Sequence, residues 1–319
     1  MALTTVAGAS IDPTDRQYYD AMLIEANRGL YVYEQFGDPR PMKQNQGKTI
    51  NFRTRNAFPV ITAPLVESVT PDARTFDLDD ITADIQGYGD AAGISDFLDM
   101  TATDPVMNEV VLEQSKQMAL SRDTIIRDQI VPAITTNVRR ATAAGTLGSG
   151  AVTTTAAVVD EDHLDQMVTI LENANAERIT EVQRPGTGYG STAVGESYWA
   201  VTHPSVGRFI KNLPGFNYVH NYAKPSERLP GEIGAMENGL RVITTTNAWN
   251  SDGDYSIAIF GKNAFAVTGL DGNAAGTYTA PFGSGDDLLH QRQKAGWKMY
   301  VVSKITNQAN LANLTVLIA

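Results

Sequence analysis

Strict alternation of apolar and polar positions marks one part of the chain, and helical spacing marks another. Lys48 to Arg55 reads KTINFRTR, with Ile50 and Phe52 facing one way and Asn51, Arg53 and Arg55 the other, as in a half-buried strand. A second extended run covers Thr75 to Tyr88 (TFDLDDITADIQGY). Its acids Asp77, Asp79, Asp80 and Asp84 read as a solvated face opposite Arg53 and Arg55, so cross-strand charge pairs are expected. Between the two runs lies NAFPVITAPLVESVTPDAR, where Pro59, Pro64 and Pro71 exclude a central strand or a helix. Phe58, Val60, Ile61, Leu65 and Val66 are nonetheless too apolar for an idle surface loop. The pattern predicts an extended hairpin with an apolar tip. A hairpin alone is marginal in water, so the tip must lie on its own domain or on a partner.

Helical spacing dominates from Asp104 to Arg140. Asp104 is a natural N-cap, Pro105 suits the first helical position, and Met107, Val111, Met118 and Ile125 form an apolar stripe. Arg139 and Arg140 put positive charge at the far end, and Pro132 should kink or end the regular part. One helix of that extent would span roughly 50 Å at 1.5 Å per residue. A second helix is predicted over Asp160 to Arg178, with Leu164, Met167, Val168 and Leu171 on its buried face. Thr14 to Gln35 is helical in pattern, and HPSVGRFIKNLPGF suggests a short helix. Strands are predicted at Tyr198 to Pro204, Leu240 to Thr245, Tyr255 to Phe260, Lys298 to Ile305 and Leu314 to Ile318, with a short edge strand in AVTTTAAVV before Asp160. A turn or helix is expected after Gly261, and the Gly- and Pro-rich stretches Gly37 to Gly47, Gly145 to Gly150 and VQRPGTGYGS read as loops. The fold class is α+β.

Composition narrows the function. The 319 residues are 42% hydrophobic and 8% aromatic, which suits a globular chain with a sizeable core. A net charge of −11 argues against binding to phosphate backbones as the main task of the surface. Without cysteine, disulfides and thiolate metal sites are excluded. The N-terminus lacks the pattern of a signal peptide and no window approaches a membrane span, so a cytoplasmic chain is expected. His163, His203, His220 and His290 stand in no metal-ligand spacing, and the acids of DEDHLD (160–165) read as a solvated helix start. GTGYGS (186–191) lacks the order of a phosphate loop, and no GxSxG elbow occurs. The expectation is a protein without catalytic residues, cofactor or metal.

The order of these pieces resembles the major capsid proteins of tailed phages with the Hong Kong 97-type coat fold, and within them the N-four-like family. The residues that carry the likeness are QGKTINFRTR (46–55), IQGYGDAAGISDFL (85–98), the long helix, YWAVTHPSV (198–206), GEIGAMENGLRVITTTN (231–247) and GWKMYVVSKITNQANL (296–311). The resemblance implies an N-terminal arm and short helix over 1–46, an extended hairpin loop over 47–86 and a peripheral domain over 87–150 with a spine helix at 104–140. It further implies an axial domain over 151–290 and C-terminal strands over 291–319 that return to the peripheral domain. Copies would form hexamers and pentamers and close an icosahedral shell around double-stranded DNA, held without sequence-specific binding, in a virion assembled in the host cytoplasm. Portal, scaffolding and decoration proteins are the implied partners. Phe58, Pro59, Val60, Ile61, Pro64, Leu65 and Val66 become the expected assembly contact on a neighbouring subunit. Two alternatives stand beside this reading: an encapsulin-type compartment shell and a β-rich carbohydrate-binding or adhesive protein.

Overall fold

A computed structural model describes residues 32–318 apart from 56–57, 59, 63, 65–69, 71–72, 76–77, 102–105, 143–144, 150–156, 184–190, 223–227, 252, 271–274 and 285–286. In chain order its strands are β1 (Asp38–Pro39), β2 (Thr49–Arg55), β3 (Leu78–Asp84), β4 (Gln86–Ser95), β5 (Val138–Ala141), β6 (Leu147–Ser149), β7 (Ile179–Gln183), β8 (Ser191–Thr202) and β9 (Phe216–Tyr218). They continue as β10 (Glu232–Met236), β11 (Leu240–Thr244), β12 (Asn250–Ser251), β13 (Asp254–Phe260), β14 (Phe265–Gly269), β15 (Ala275–Ala280), β16 (Arg292–Ile305) and β17 (Leu311–Leu317). Helices run over Asp96–Thr101, Val106–Ile130, Glu161–Asn173, Pro204–Ile210 and Val219–Tyr222.

The strands make three sheets. A ten-stranded mixed sheet follows the order β6-β5-β17-β13-β8-β11-β10-β9, with β12 beside β13 and β7 beside β8. A five-stranded sheet follows β1-β14-β16-β15 with β4 along the other edge of β16, and β2–β3 form a separate two-stranded sheet. The central strands β8, β11 and β13 of the ten-stranded sheet are buried on both faces. Along β8, Tyr198 and Ala200 pack toward Leu164, Met167, Val168 and Leu171 of the helix Glu161–Asn173, while Trp199 and Val201 join the core beneath the long helix. Burial on both faces explains why YWAV and IAIF are continuous apolar runs rather than alternating ones. The helix Glu161–Asn173 starts at Asp160 in a capping box in which His163 takes the place of the usual Glu: its Nδ1 accepts the Asp160 N–H at 3.0 Å. Nε2 therefore carries the proton and donates to the Thr142 carbonyl at 3.0 Å and the Thr146 carbonyl at 3.1 Å.

The long helix is shorter than the sequence predicts. It covers Val106–Ile130, 25 residues or about 37 Å at 1.5 Å per residue, then tightens into a 3-10 turn at Val131–Ala133. Pro132 ends the helix rather than kinking it, because it cannot supply the N–H that the next turn needs. Arg139 and Arg140 lie beyond it on β5, where Arg140 pairs with Asp254 at 2.7 Å. Val111, Met118, Ile126 and Ile130 enter the core, with Met107 and Ile125 partly buried beside them. Other differences have similar causes. Gly89 to Ser95, where the pattern predicts no element, continues the extended run through Tyr88 as part of the ten-residue strand β4, and FAVTG after Gly261 is β14 instead of a turn or helix. The two C-terminal strands go to different sheets, β16 to the five-stranded one and β17 to the ten-stranded one. The N-terminal residues 1–31 and the Gly-rich 186–190 lie outside the described residues.

Polar contacts, buried at one end and partly buried along the rest, tie the long helix to β16. Gln114 Nε2 donates to the Ala295 carbonyl at 2.8 Å, and Trp297 Nε1 donates to Gln117 Oε1 at 3.1 Å. Gln129 Oε1 accepts both the N–H and the hydroxyl of Ser303 at 2.7 Å. A second tie is Asp123, fully buried at mid-helix. Its carboxylate accepts the N–H groups of Val32 (3.0 Å) and Tyr33 (2.9 Å) and the Asn247 side-chain amide (2.8 Å). Burial raises the Asp123 carboxyl above the usual carboxylate range, against the lowering by these three hydrogen bonds. Arg122 adds a pair of hydrogen bonds to Glu34 alongside. Removing the acceptor orphans three donors in the interior. Asp123→Ala should cost about 3 kcal/mol or more, and Asp123→Asn less, because one acceptor oxygen survives. Urea unfolding monitored by tryptophan fluorescence measures both.

Candidate assembly surface

The hairpin stands apart from the main sheets and is tethered at its base. Seven antiparallel pairs run from Thr49↔Asp84 to Arg55↔Leu78, about 23 Å of ladder at 3.3 Å per residue. Phe52 and Ala83 point down from this ladder onto Ala266 and Val302, where they form a small apolar cluster with Ile50, Ile81 and Ile85 beside it. The opposite face carries charge. Arg53 sits across from Asp80 with Nε 3.5 Å from its carboxylate, as the alternating pattern predicts, and Lys48 lies 3.8 Å from Asp84. Both pairs are exposed and each contributes little to stability, on the order of 0–1 kcal/mol.

Beyond Arg55 and Leu78 the apolar character turns outward. Phe58 is 57% exposed, Val60 88% and Ile61 70%, and Pro64 is also exposed. These four residues contribute nothing to the described core clusters. Pro59, Leu65 and Val66, the other members of the expected contact, lie outside the described residues.

A second apolar feature was not legible in the sequence. Leu288 and Leu289 project from a loop built around Asp287, whose carboxylate accepts three backbone N–H groups: Gly283 at 3.3 Å, Gln291 at 3.1 Å and Arg292 at 2.7 Å. His290 follows with φ 55°, a left-handed conformation. Gly283 has φ 80°, and a Cβ there would sit 2.2 Å from the His290 ring, so the close turn requires glycine. The short helix Asp96–Thr101 starts beside this loop, with the Asp96 N–H donating to the Gln291 carbonyl at 3.1 Å. It too carries exposed apolar side chains, Phe97, Leu98 and Met100. The signal was faint, two leucines in DDLLH and three apolar residues in DFLDM.

The residues weighed for chemistry are dispersed. His163 caps one helix, His203 Nδ1 accepts the Ser205 N–H at 3.2 Å to cap another, and the His220 ring stacks on Tyr218 with centroids 5.4 Å apart. Among the described residues no three His, Asp or Glu side chains gather at metal-binding distance, and no helix is long and apolar enough to cross a membrane.

The model of a protein family described as phage capsid protein matches residues 79–310, more than two thirds of the chain. The chain belongs to the phage capsid protein family. Solved structures agree in fold. The capsid of Ralstonia phage GP4 is 10% identical, with 92% of each chain covered and a TM-score of 0.62. The capsid of cyanophage P-SCSP1u is 14% identical over 92% of this chain and 90% of that one, with a TM-score of 0.61. The SrpI encapsulin of Synechococcus elongatus superposes less well, at 9% identity, 88% and 86% coverage and a TM-score of 0.55. At such identities these likenesses speak for the fold alone. No curated protein matches the sequence. The chain is thus a phage major capsid protein of α+β class, and the encapsulin likeness is the more distant. The matched span takes in β4, the long helix and the ten-stranded sheet up to Asn310, including both segments that carry exposed apolar residues beside Asp287.

The Asp287 loop gives this capsid protein an acid-sensitive feature. Burial works to raise that carboxyl, but hydrogen bonds from the Arg292, Gln291 and Gly283 amides outweigh it and hold it below the usual range. A depressed folded pKa means the stabilisation is complete above the unfolded value of about 3.9 and is lost as pH falls through the folded one. Amide protection factors at Gly283, Gln291 and Arg292, corrected for intrinsic exchange, should therefore fall below about pH 4 while those of β13 and β17 persist. Unchanged protection at the three amides through that range would show that the carboxylate does not hold the loop.

Proposed function

We propose that copies of this chain assemble through hexamers and pentamers into the icosahedral head of a tailed phage, enclosing double-stranded DNA without sequence-specific contacts. The observation that carries this reading is the hairpin: a charged ladder that lifts an exposed apolar tip away from the core of its own chain. In a ring of identical subunits the contacts are head-to-tail, so each tip can lie on the next copy and lose its exposure there. Phe58, Pro59, Val60, Ile61, Pro64, Leu65 and Val66 form that contact. The five-stranded sheet with the long helix serves as the peripheral part of each subunit, and the ten-stranded sheet as the axial part around the capsomer centre. The role is structural, with no reaction and no cofactor. Assembly takes place in the host cytoplasm, with portal, scaffolding and decoration proteins as further partners. The net charge of −11 keeps the inner surface from gripping the packaged DNA.

Deletion of residues 59–72, closed by a short Gly-Ser linker, tests the hairpin directly. The deleted protein should keep the wild-type melting temperature and circular dichroism but yield no closed shells by electron microscopy. Loss of the fold on deletion would mean that the tip packs on its own chain.

A further inference from the structure

The β10–β11 hairpin closes through Glu237, Asn238 and Gly239, which contains the one Asn-Gly pair in the sequence. An asparagine followed by glycine is chemically labile, because no side chain shields the next backbone nitrogen from the asparagine carboxamide. The fold nonetheless calls for both residues. Gly239 has φ 82°, the left-handed conformation that ends a three-residue hairpin loop, and a Cβ there would sit 2.3 Å from Arg178 Nη1. Asn238 Oδ1 accepts the Leu240 N–H at 3.1 Å, a bond that a hydrocarbon side chain could not make.

The pair is gripped from several sides. The Gly239 N–H donates to the Met236 carbonyl at 3.1 Å, and the Gly239 carbonyl accepts the N–H of buried Tyr198 on β8 at 3.1 Å. Arg178, sixty residues back along the chain, donates from Nη2 to the Asn238 carbonyl at 3.5 Å. Its guanidinium is itself anchored. Nη2 also donates to Glu172 Oε1 at 2.7 Å on the helix Glu161–Asn173, and the guanidinium carbon lies 5.3 Å from the centre of the Tyr198 ring. Arg178 therefore fills the space beside Gly239 that a larger residue would have taken.

We infer that Asn238 is the chain's site of spontaneous deamidation and that Arg178, through this grip on the turn, holds the reaction back. In the reaction the Gly239 nitrogen gives up its proton and attacks Asn238 Cγ. The new N–C bond closes a succinimide ring, and the side-chain amide leaves with that proton as ammonia. Water then adds across either imide C–N bond, leaving aspartate or isoaspartate at position 238; isoaspartate routes the backbone through an additional carbon. Attack needs the Gly239 nitrogen in near-attack geometry on Cγ, which requires the peptide plane between 238 and 239 to turn. Turning that plane breaks the bonds to Met236 and Tyr198 and the contact with Arg178. The Met236 and Tyr198 bonds are main-chain bonds of the sheet, so Arg178 is the side chain that sets how often the turn opens. The inference concerns bonds within one chain and is independent of the assembly proposed above.

The test incubates the purified full-length chain at neutral pH and follows conversion at position 238 by peptide mapping with mass spectrometry, with isoaspartate measured by enzymatic methylation. Conversion in the folded wild type should be slower than in the same chain unfolded in urea by about tenfold or more. Arg178→Ala should speed conversion in the folded protein by about threefold or more with the melting temperature unchanged, and Arg178→Lys should fall between. Asn250, which precedes Ser251 on β12, should convert at the same rate in wild type and variant. Should Arg178→Ala fail to fold, Glu172→Gln, which weakens the anchor of the guanidinium but keeps the arginine, takes its place under the same criterion. Equal conversion in folded and unfolded wild type, or wild-type conversion in the folded variant, overturns the inference. So does an equal acceleration at Asn250, which would mark a general loosening of the chain.

Discussion

The seam between the long helix and β16 is the constraint on which the rest of the molecule depends. β16 pairs with β4, β14 and β15 and carries the helix on one face, so four elements take their position from one strand. Dispersion and burial supply most of the stabilisation at the seam, through Val111, Met118 and Ile126 against Trp297, Met299 and Val301. Non-directional contacts alone would let a helix slide along a strand. The glutamines at 114, 117 and 129 remove that freedom, since each makes a directional bond to β16 at Ala295, Trp297 or Ser303. Fifteen helical residues rise about 22 Å and eight strand residues about 26 Å, so the three contacts stay in register along the seam. Asp123 then fixes the segment at Val32 and the loop at Asn247 to the same helix.

How much of this could be read in the sequence follows from how local each determinant is. The hairpin was legible because alternation, prolines and opposed charges all lie within about forty residues, and Arg53 does face Asp80. The helix Glu161–Asn173 was legible from its acidic start and apolar face. β4 was not, because Gly, Ala and Asp are poor strand formers, and QGYGDAAGIS becomes a strand only through ten pairings with a segment two hundred residues away. The long helix was overextended because Arg139 and Arg140 look like C-terminal cations until Asp254, far along the chain, provides the partner for Arg140. β14 was hidden by Gly261 and Asn263, which mark a turn and mask the strand after it. The apolar tip was found from composition. The leucines beside Asp287 were missed, because their exposure is imposed by a carboxylate binding amides at both ends of its loop.

Small side chains on β4 have a purpose in this arrangement. A Cβ on Gly89 would lie 2.6 Å from the Trp297 carbonyl, so the glycine lets the ribbon close tightly where the indole turns toward Gln117. Next to it, Asp90 accepts a hydrogen bond from the same Gln117 at 2.7 Å, which lowers its carboxyl from the usual value. One glutamine thus joins the helix to both strands of the ribbon.

The chemical make-up of the seam also sets how the molecule meets its surroundings. Its polar contacts are amide, indole, hydroxyl and carbonyl groups, none of which gains or loses a proton near neutral pH. Salt screens exposed ion pairs within a Debye length of about 8–10 Å but leaves such neutral bonds almost untouched. The hairpin is built the other way, with Arg53–Asp80 and Lys48–Asp84 open to solvent. Ionic strength therefore acts on the exposed ion pairs of the hairpin and spares the neutral bonds of the frame on which it rests.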